Sequence, residues 1–252
     1  MAYTLKGIIQ YDGTGFHGWQ RQPGLRTVQG ALETALSQIA DRPVAVQGSG
    51  RTDAGVHAFG QVFSCAWPRP LDGRLRHALS KMLGPEVWVV TLEEAAEGFN
   101  ARFAAVSKRY AYALDLSPEP NPFAARYAWH VPYALDLDRM AQCLQVLVGE
   151  HDFAGFQSTG HQMEKTVRTL FSAEVKQGGI LHPVGSETQW RLEFWGDGFL
   201  YHMVRNITGS LVEIGRGRYS ADFLREQLEQ GGPFRGHCAP ARGLALMEVR
   251  YA

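Results

Sequence analysis

The chain is organised around residues 48–57, which read Gly48-Ser49-Gly50-Arg51-Thr52-Asp53-Ala54-Gly55-Val56-His57. Short runs at residues 43–47 and 61–67 flank this segment, and both are typical of β-strands. The glycines allow a loop that brings backbone close to a ligand or adopts positive φ without steric cost. Asp53 is therefore predicted to lie on a connection between two strands, where its carboxylate is available for chemistry.

Several kinds of site could use this loop. A phosphate-binding P-loop needs a lysine after its second glycine, and none follows Gly50. A serine hydrolase needs the Gly-x-Ser-x-Gly elbow, and the glycines beside Ser49 stand one residue too close on each side. Asp53 and His57 alone supply too few ligands for a metal. Two interpretations stay open: Asp53 is a nucleophile or general base kept ionised by nearby arginine, or it pairs with Arg51 and merely pins the loop.

Outward from the loop, the periodicity predicts two similar halves. The elements predicted for the first half are a strand over 3–10, a helix over 28–39 capped by Thr27, strands over 43–47 and 61–67, a helix over 71–83 and a strand over 87–92. Those predicted for the second half are strands over 109–116, 166–176 and 189–195, helices over 137–148, 202–214 and 220–230, and a closing strand over 244–251.

This order predicts an α+β fold of two ferredoxin-like (split βαβ) halves, with mixed or antiparallel sheets and helices packed on one face. The boundary is expected within residues 103–107. Residues 1–105 would form an N-terminal half that carries the Asp53 loop, and residues 106–252 a C-terminal half that completes the active site. The prolines of residues 117–135 predict an irregular excursion inside the second half.

Composition restricts the class of protein. Apolar runs reach about six residues, far below the roughly 20 that span a bilayer, and the N-terminus lacks the pattern of a signal peptide. The three cysteines are widely spaced and form no Cys-x-x-Cys pair, which favours reduced thiols in a cytoplasmic protein and no metal site. We therefore expect a cytoplasmic globular protein without a membrane span.

Charge is distributed unevenly although the net charge is zero. Residues 1–110 have 12 basic and 9 acidic side chains, residues 111–199 have 6 and 11, and residues 200–252 have 7 and 5, which gives +3, −5 and +2. Twenty of the 25 basic residues are arginine, whose planar group pairs with phosphate and stacks on bases. A polyanionic partner and a simple bias of composition both fit this pattern.

The segment over residues 14–24 mixes Phe16, His17 and Trp19 with amides and Arg21. Exposed aromatic rings beside arginine are what stacking on unpaired bases requires. Aromatic anchors of a loop have the same sequence pattern, so recognition and anchoring both stay open for these rings.

Four segments together resemble the tRNA pseudouridine synthases of the TruA family. The quoted residues are Gly50-Arg51-Thr52-Asp53-Ala54-Gly55-Val56-His57-Ala58, Tyr11-Asp12-Gly13-Thr14-Gly15-Phe16-His17-Gly18-Trp19-Gln20, Phe99-Asn100-Ala101-Arg102 with Lys108-Arg109-Tyr110, and Phe199-Leu200-Tyr201-His202-Met203-Val204-Arg205-Asn206-Ile207 with Gly209. The closing strand, Gly243-Leu244-Ala245-Leu246, agrees as well. The resemblance extends from residue 3 to residue 251 and implies the pseudouridine synthase fold.

The resemblance implies an isomerase that converts uridine to pseudouridine in the anticodon stem-loop of tRNA, at positions 38–40. It makes Asp53 the catalytic nucleophile, Arg51 the residue that keeps the target nucleotide flipped out, and Tyr110 the ring that stacks on the target base. Arg205 would pair with the Asp53 carboxylate. Extruding a base costs a few kcal/mol, which stacking on an aromatic ring partly offsets. The alternative is a non-catalytic tRNA-binding or chaperone module of the same fold.

Further expectations follow from the same resemblance. Substrate contacts are expected from Arg21, His57, Arg102, Lys108, Arg109 and Leu244. No cofactor and no metal are expected, and a homodimer would bind one tRNA across two chains, so that basic surfaces from both copies combine. Position 100 is Asn where the family often has His. Residues 117–135 and 158–190 match no motif of the family and are expected to contact RNA or the partner subunit.

Overall fold

The computed structural model describes residues 3–158, 165–181 and 187–252. Two compact units divide the chain, the first from Met1–Val106 with Leu246–Ala252 and the second from Ser107–Ala245. Across the described residues the elements are ten strands, five α-helices and four short 3-10 turns. The α+β class predicted from the sequence is confirmed. Residues 159–164 and 182–186, which belong to the unmatched segment 158–190, lie outside the described residues.

The first unit has the order strand, helix, strand, strand, helix, strand. Its elements are β1 (Tyr3–Tyr11), α1 (Val28–Ala40), β2 (Val46–Gly48), β3 (His57–Trp67), α2 (Leu75–Leu83) and β4 (Val87–Ala95). β1 lies between β4 and β3 and is antiparallel to both, while β2 pairs with β3. This is the split βαβ arrangement that the periodicity predicts.

The second unit contains the remaining elements. They are β5 (Ala105–Asp115), β6 (Trp129–His130), α3 (Leu137–Leu144), β7 (Gly149–Asp152), β8 (Val167–Gln177), β9 (Gln189–Gly196), α4 (Met203–Gly215), α5 (Phe223–Gln230) and the start of β10 (Leu244–Tyr251). The antiparallel strands follow the order β5-β9-β8-β7, and β6 runs parallel to β5. From residue 246 onward β10 belongs to the first unit, where it lies beside β3.

Alternation and capping explain why the first unit folds as it does. In β1 the residues Leu5, Gly7 and Ile9 are buried and their neighbours are not, as expected for a strand with one face on the core. The Thr27 hydroxyl accepts a hydrogen bond from the Gly30 amide at 3.2 Å and caps α1. α1 then buries Leu32 and its neighbours of the same face.

The core of the second unit surrounds α4. Twelve of the thirteen residues of this helix are buried, and Arg205 is the exception. A Cβ at Gly215 would lie 2.6 Å from the Met140 sulfur on α3, and one at Gly209 would lie 1.8 Å from the His237 carbonyl oxygen. These close approaches explain why glycine stands at both positions of this buried helix.

Several predicted boundaries were wrong, and two short strands were missed. Among the strands, β3 begins at His57 rather than at residue 61, β5 begins at Ala105 rather than at residue 109, and β2 covers Val46–Gly48 rather than residues 43–47. α2 begins at Leu75 rather than at residue 71, because the Asp72 carboxylate binds the Arg74 amide and forms a turn before the helix. α3 ends at Leu144, where a 3-10 turn replaces the last predicted helical turn, and α5 begins at Phe223 rather than at residue 220. The short strands β6 and β7 were not predicted, because their pairing with β5 and β8 defines them.

No helix within residues 3–158, 165–181 and 187–252 has the length and apolar character of a membrane span. The three cysteines, Cys65, Cys143 and Cys238, form no disulfide bond with one another. Burial raises the pKa of the Cys65 thiol to about 12, so this side chain stays protonated and unreactive.

Candidate active site

The loop that carries Asp53 rests on the chain segment that follows β1. The Trp19 amide donates to the Thr52 carbonyl oxygen at 3.0 Å, and the Gly55 amide donates to the Phe16 carbonyl oxygen at 3.3 Å. Phe16 is 3% exposed and Trp19 is 2% exposed. Both rings are therefore anchors that support the loop, and for these two residues the anchoring interpretation is correct.

Glycines allow this close packing. A Cβ at Gly13 would lie 2.0 Å from the Val56 carbonyl oxygen, and one at Gly18, whose φ is +83°, would lie 2.6 Å from the Thr52 carbonyl oxygen. A Cβ at Gly48 would lie 2.4 Å from the Trp19 ring. Residues 13–19 and the Asp53 loop thus pack directly against each other. A larger side chain at any of these three glycines would push the two segments apart.

A chain of buried polar groups underlies the same loop. The Ser49 hydroxyl donates to the Gln61 side-chain oxygen at 2.6 Å, and the Gln61 side-chain nitrogen donates to the Gly50 carbonyl oxygen at 3.1 Å. The Tyr11 hydroxyl lies 2.8 Å from the Thr52 hydroxyl. Burial raises the pKa of Tyr11 to about 12, partly offset by its hydrogen bonds to Thr52 and Gln61, so the phenol is neutral.

His57 ends the loop and faces inward. It is 2% exposed, its Nδ1 accepts a hydrogen bond from the Gly13 amide at 3.1 Å, and the same nitrogen lies 3.2 Å from an Asp12 carboxylate oxygen. The imidazole therefore ties the turn after β1 to the start of β3. This position supports the loop from within and does not present the ring to a ligand.

Asp53 and Arg51 are the accessible groups of the loop. Arg51 is exposed and Asp53 is half-buried, whereas Thr52 between them is buried. The Asp53 carbonyl oxygen accepts from the Val56 amide at 3.1 Å, which closes a tight turn directly after the carboxylate. The backbone bonds and buried polar contacts described above hold the loop at the residues on both sides of Arg51.

Arg21 is held at the surface by a buried acid. Its guanidinium lies 3.2 Å from the Glu33 carboxylate, and its side chain is 71% exposed. The other Glu33 oxygen accepts from the Val46 amide at 3.0 Å and from the Gln29 side chain at 3.1 Å. Glu33 on α1 thus joins Arg21 to β2, the strand that leads into the Asp53 loop.

Glu33→Gln is expected to lower the free energy of unfolding by about 1–3 kcal/mol, because an amide nitrogen would face either the Arg21 guanidinium or the Val46 amide in a buried position. Urea denaturation measures this change. The matched control is Arg21→Ala, for which we expect a smaller loss because the Arg21 side chain is mostly solvated. Equal losses in the two variants would contradict the role of Glu33 as the buried support.

Residues 100–103 form a second surface feature of the first unit. The Asn100 side-chain oxygen accepts from the Arg102 amide at 2.9 Å and the Phe103 amide at 3.2 Å. The buried Ala101 between them donates from its amide to the Ser64 hydroxyl at 3.0 Å and accepts from the Tyr251 hydroxyl at 2.8 Å. Arg102 is therefore an exposed arginine on an anchored turn, and Asn100 is the residue that forms this turn.

The second unit carries the remaining expected residues. On β5, Tyr110 is 8% exposed and meets the Phe199 ring edge-on at 5.0 Å, while Arg109 is exposed and Lys108 half-buried. Leu244, at the start of β10, is 5% exposed. Only a small part of the Tyr110 side chain is thus exposed to solvent.

Arg205 is the one residue of α4 that is not buried, and its position is fixed by the chain that follows α5. Its Nε donates to the Ala239 carbonyl oxygen at 2.8 Å, and its own carbonyl oxygen accepts from the Ala239 amide at 3.1 Å. Nearby, the Tyr112 hydroxyl donates to the Pro240 carbonyl oxygen at 2.7 Å. The Arg205 guanidinium is therefore held at a defined position in the second unit.

The structure therefore groups the expected residues into two sets, one in each unit. Arg21, Arg51, Asp53, His57 and Arg102 lie in the first, and Lys108, Arg109, Tyr110, Arg205 and Leu244 lie in the second. The sequence did not identify Tyr11, Gln61 and Glu33 as parts of the site. Gln61, a long amide side chain in a strand of mostly apolar residues, was the available signal. Within the described residues no group of three or more His, Cys, Asp or Glu side chains could hold a metal ion.

Comparison with known proteins assigns the family. The model of a family described as tRNA pseudouridine synthase matches residues 8–100 and 143–252. The chain is 42% identical over 254 residues to a tRNA pseudouridine synthase A of Latilactobacillus sakei subsp. sakei (strain 23K), with 100% of each chain covered. It is 43% identical over 250 residues to that of Brevibacillus brevis (strain 47 / JCM 6285 / NBRC 100599), with 98% of this chain and 99% of the other covered.

A solved structure titled "Crystal structure of the archaeal box H/ACA sRNP Nop10-Cbf5 complex" aligns with a TM-score of 0.37 and 11% identity over 97% of this chain and 47% of that chain. This likeness is too low to bear on fold or function.

The α+β fold, the Asp53 loop and the match to the family model together define a pseudouridine synthase, an isomerase that converts uridine to pseudouridine. Both relatives described above are named tRNA pseudouridine synthase A, so the RNA in this family is tRNA. The chain belongs to the tRNA pseudouridine synthase family.

Proposed function

We propose that this isomerase acts on uridines 38–40 of the anticodon stem-loop, with Asp53 as the nucleophile. In the reaction the N1–C1′ bond of uridine breaks, the base rotates while bound, C5 bonds to C1′ and loses its proton, and N1 takes up a proton. Uracil and ribose contain all the atoms of the product, so the isomerisation requires neither a redox step nor a group carrier. The observation that carries the proposal is the half-buried Asp53 on a loop fixed from beneath, within the stretch that the family model matches.

The exposure of Arg51 supports a role in which this side chain enters the RNA. A uridine inside a stem is inaccessible to a side chain, so the nucleotide must leave the stack at a cost of a few kcal/mol. We propose that Arg51 occupies the space from which the base departs, because it lies two residues from Asp53 on the same fixed loop. Tyr110 is the proposed stacking partner of the extruded uracil, and its edge-on contact with Phe199 supports a fixed orientation of the ring.

Arg205 is the proposed partner of the Asp53 carboxylate. Its anchorage to Ala239 supports this role, because the hydrogen bond from Nε fixes the orientation of a group that pairs well with a carboxylate. An arginine beside the carboxylate would favour its ionised, nucleophilic form. The exposed side chains of Arg21, Arg102 and Arg109 are the proposed phosphate contacts, together with Lys108. For Leu244 we propose a contact with the bound uridine, and for His57 support of the loop.

We further propose that the protein acts in the cytoplasm as a homodimer. Three cysteines that form no disulfide bond suit a reducing compartment. The uneven charge distribution supports the dimer, since two copies would combine the basic ends of a neutral chain along one polyanion. The sedimentation coefficient of the free protein and of its tRNA complex tests this proposal, and a monomer in both would contradict it.

Site-resolved mapping tests the choice of substrate position. Three tRNA transcripts that each carry a single uridine at position 38, 39 or 40 are incubated with the protein, and pseudouridine is located by a carbodiimide tag. We expect the tag at these positions and none in a control transcript whose only uridines lie in the acceptor stem. Modification of the acceptor stem alone would contradict the assignment to the anticodon stem-loop.

A further inference from the structure

Gln61 is a buried amide that contacts the first residues of the Asp53 loop. It is 0% exposed, on β3. Its oxygen accepts from the Ser49 hydroxyl at 2.6 Å and from the Val62 amide at 3.2 Å, and its nitrogen donates to the Gly50 carbonyl oxygen at 3.1 Å. The Ser49 amide in turn donates to the Val62 carbonyl oxygen at 2.8 Å. The two residues before Arg51 are therefore fixed to one side chain.

Tyr11 extends this contact to the residue after Arg51. The second hydrogen of the Gln61 nitrogen points to the Tyr11 hydroxyl at 3.5 Å, and that hydroxyl lies 2.8 Å from the Thr52 hydroxyl. An amide nitrogen only donates, so the Tyr11 oxygen accepts from it, and one of the two hydroxyls donates to the other in the bond between Tyr11 and Thr52. Burial raises the pKa of Tyr11 to about 12, which keeps its hydroxyl protonated and able to take part in both bonds.

We propose that Gln61, Tyr11 and Thr52 form a positioning clamp that fixes the backbone of Arg51 and Asp53 before tRNA binds. None of the three touches substrate in this proposal, because Gln61 is 0%, Tyr11 4% and Thr52 6% exposed. The clamp grips the loop on both sides of Arg51 and directly before Asp53. The inference rests on the proposed role of Asp53 as the nucleophile.

A clamp of this kind acts on the rate of the reaction and not on the affinity for tRNA. A displacement of about 1 Å at a reacting group can cost about 100-fold in rate. The exposed arginines that are proposed to bind phosphate lie outside the clamp, so their contacts persist when it is broken. A loose loop would carry Asp53 and Arg51 away from their working positions while the RNA remains bound.

Thr52 supplies the sharpest test, because valine has its shape without the hydroxyl and serine retains the hydroxyl. We expect Thr52→Val and Tyr11→Phe each to lower the single-turnover rate of pseudouridine formation about 10- to 100-fold, with the dissociation constant for tRNA changed less than about twofold. Thr52→Ser is expected to restore most of the rate. The double variant Thr52→Val/Tyr11→Phe is expected to be no slower than the slower single variant, since both changes remove the same hydrogen bond.

Ser80→Ala is the matched control for loss of a buried hydrogen bond. Ser80 is 1% exposed, and its hydroxyl accepts from the Val89 amide at 3.2 Å between α2 and β4. We expect it to lower the melting temperature as much as Tyr11→Phe does while the rate stays within about twofold of wild type. Rates of Tyr11→Phe and Thr52→Val equal to the Ser80→Ala rate would overturn the clamp. If Asp53→Asn is inactive in the same assay, the proposed function stands although the clamp fails, whereas an active Asp53→Asn would overturn the proposed function itself.

Discussion

Asp53→Asn is expected to reduce pseudouridine formation by at least about 10⁴-fold, the scale of loss when a nucleophile is removed. Asparagine has the size of aspartate and keeps one of its two acceptor oxygens, but it lacks the negative charge that makes the carboxylate a nucleophile. Asp53 lies on a loop held by buried contacts from Tyr11, Gln61 and Trp19, so the substitution is expected to leave the loop in place. Binding of tRNA should therefore persist.

Two measurements separate chemistry from binding in this variant. Pseudouridine is counted after a single turnover, and the tRNA complex is measured by filter binding. The control is Asp222→Asn, because Asp222 is an exposed acid whose partner is Arg225 at 3.3 Å on α5. We expect wild-type turnover from the control. Measurable turnover by Asp53→Asn would contradict the role of Asp53 as nucleophile, whereas tRNA binding without turnover by the wild-type protein would favour the alternative of a non-catalytic tRNA-binding module.

Gly13→Ala is expected to lower the free energy of unfolding by about 3 kcal/mol, at the upper end of the range for overpacking, and to lower the rate of pseudouridine formation as well. The added Cβ would lie 2.0 Å from the Val56 carbonyl oxygen and 2.6 Å from the Val56 carbonyl carbon. These are backbone atoms, which cannot move away as the end of a side chain can. The turn after β1 and the Asp53 loop must separate to admit the methyl group.

The control for this prediction is Gly73→Ala. A Cβ at Gly73 would meet no atom within 4 Å, so this change is expected to alter the free energy of unfolding by less than about 0.5 kcal/mol. Urea denaturation and the single-turnover rate are measured for both variants. Similar results for the two glycines would show that the turn after β1 does not support the Asp53 loop.

The sequence predicts the elements whose pattern is local. The alternation of β1, the Thr27 cap and the apolar face of α1 each depend on neighbouring residues, and the structure confirms them. β7 has the sequence Gly-Glu-His-Asp, which favours no strand, and it exists because its backbone pairs with β8. Pairing of this kind joins residues distant in sequence, and periodicity does not detect it.

The candidate site likewise has features that the sequence predicts and features that only the fold reveals. The loop and its carboxylate are visible in the sequence, because residues 48–57 combine three glycines with an arginine, an aspartate and a histidine. The burial of Phe16 and Trp19 is not visible, since an anchor and a stacking ring have the same composition. The contact between Gln61 and the loop joins positions 11 residues apart through a strand and a turn, so only the fold reveals it.

The most direct test of the central claim uses tRNA made by transcription, which contains uridine and no pseudouridine. The purified protein is incubated with this tRNA, a carbodiimide tag is attached to any pseudouridine, and the mass of each fragment is measured, because isomerisation alone leaves mass unchanged. We predict tagged fragments from the anticodon stem-loop with the wild-type protein and none with Asp53→Asn. Untagged fragments from a folded wild-type protein that binds the tRNA would contradict the assignment of Asp53 as the nucleophile of an active isomerase.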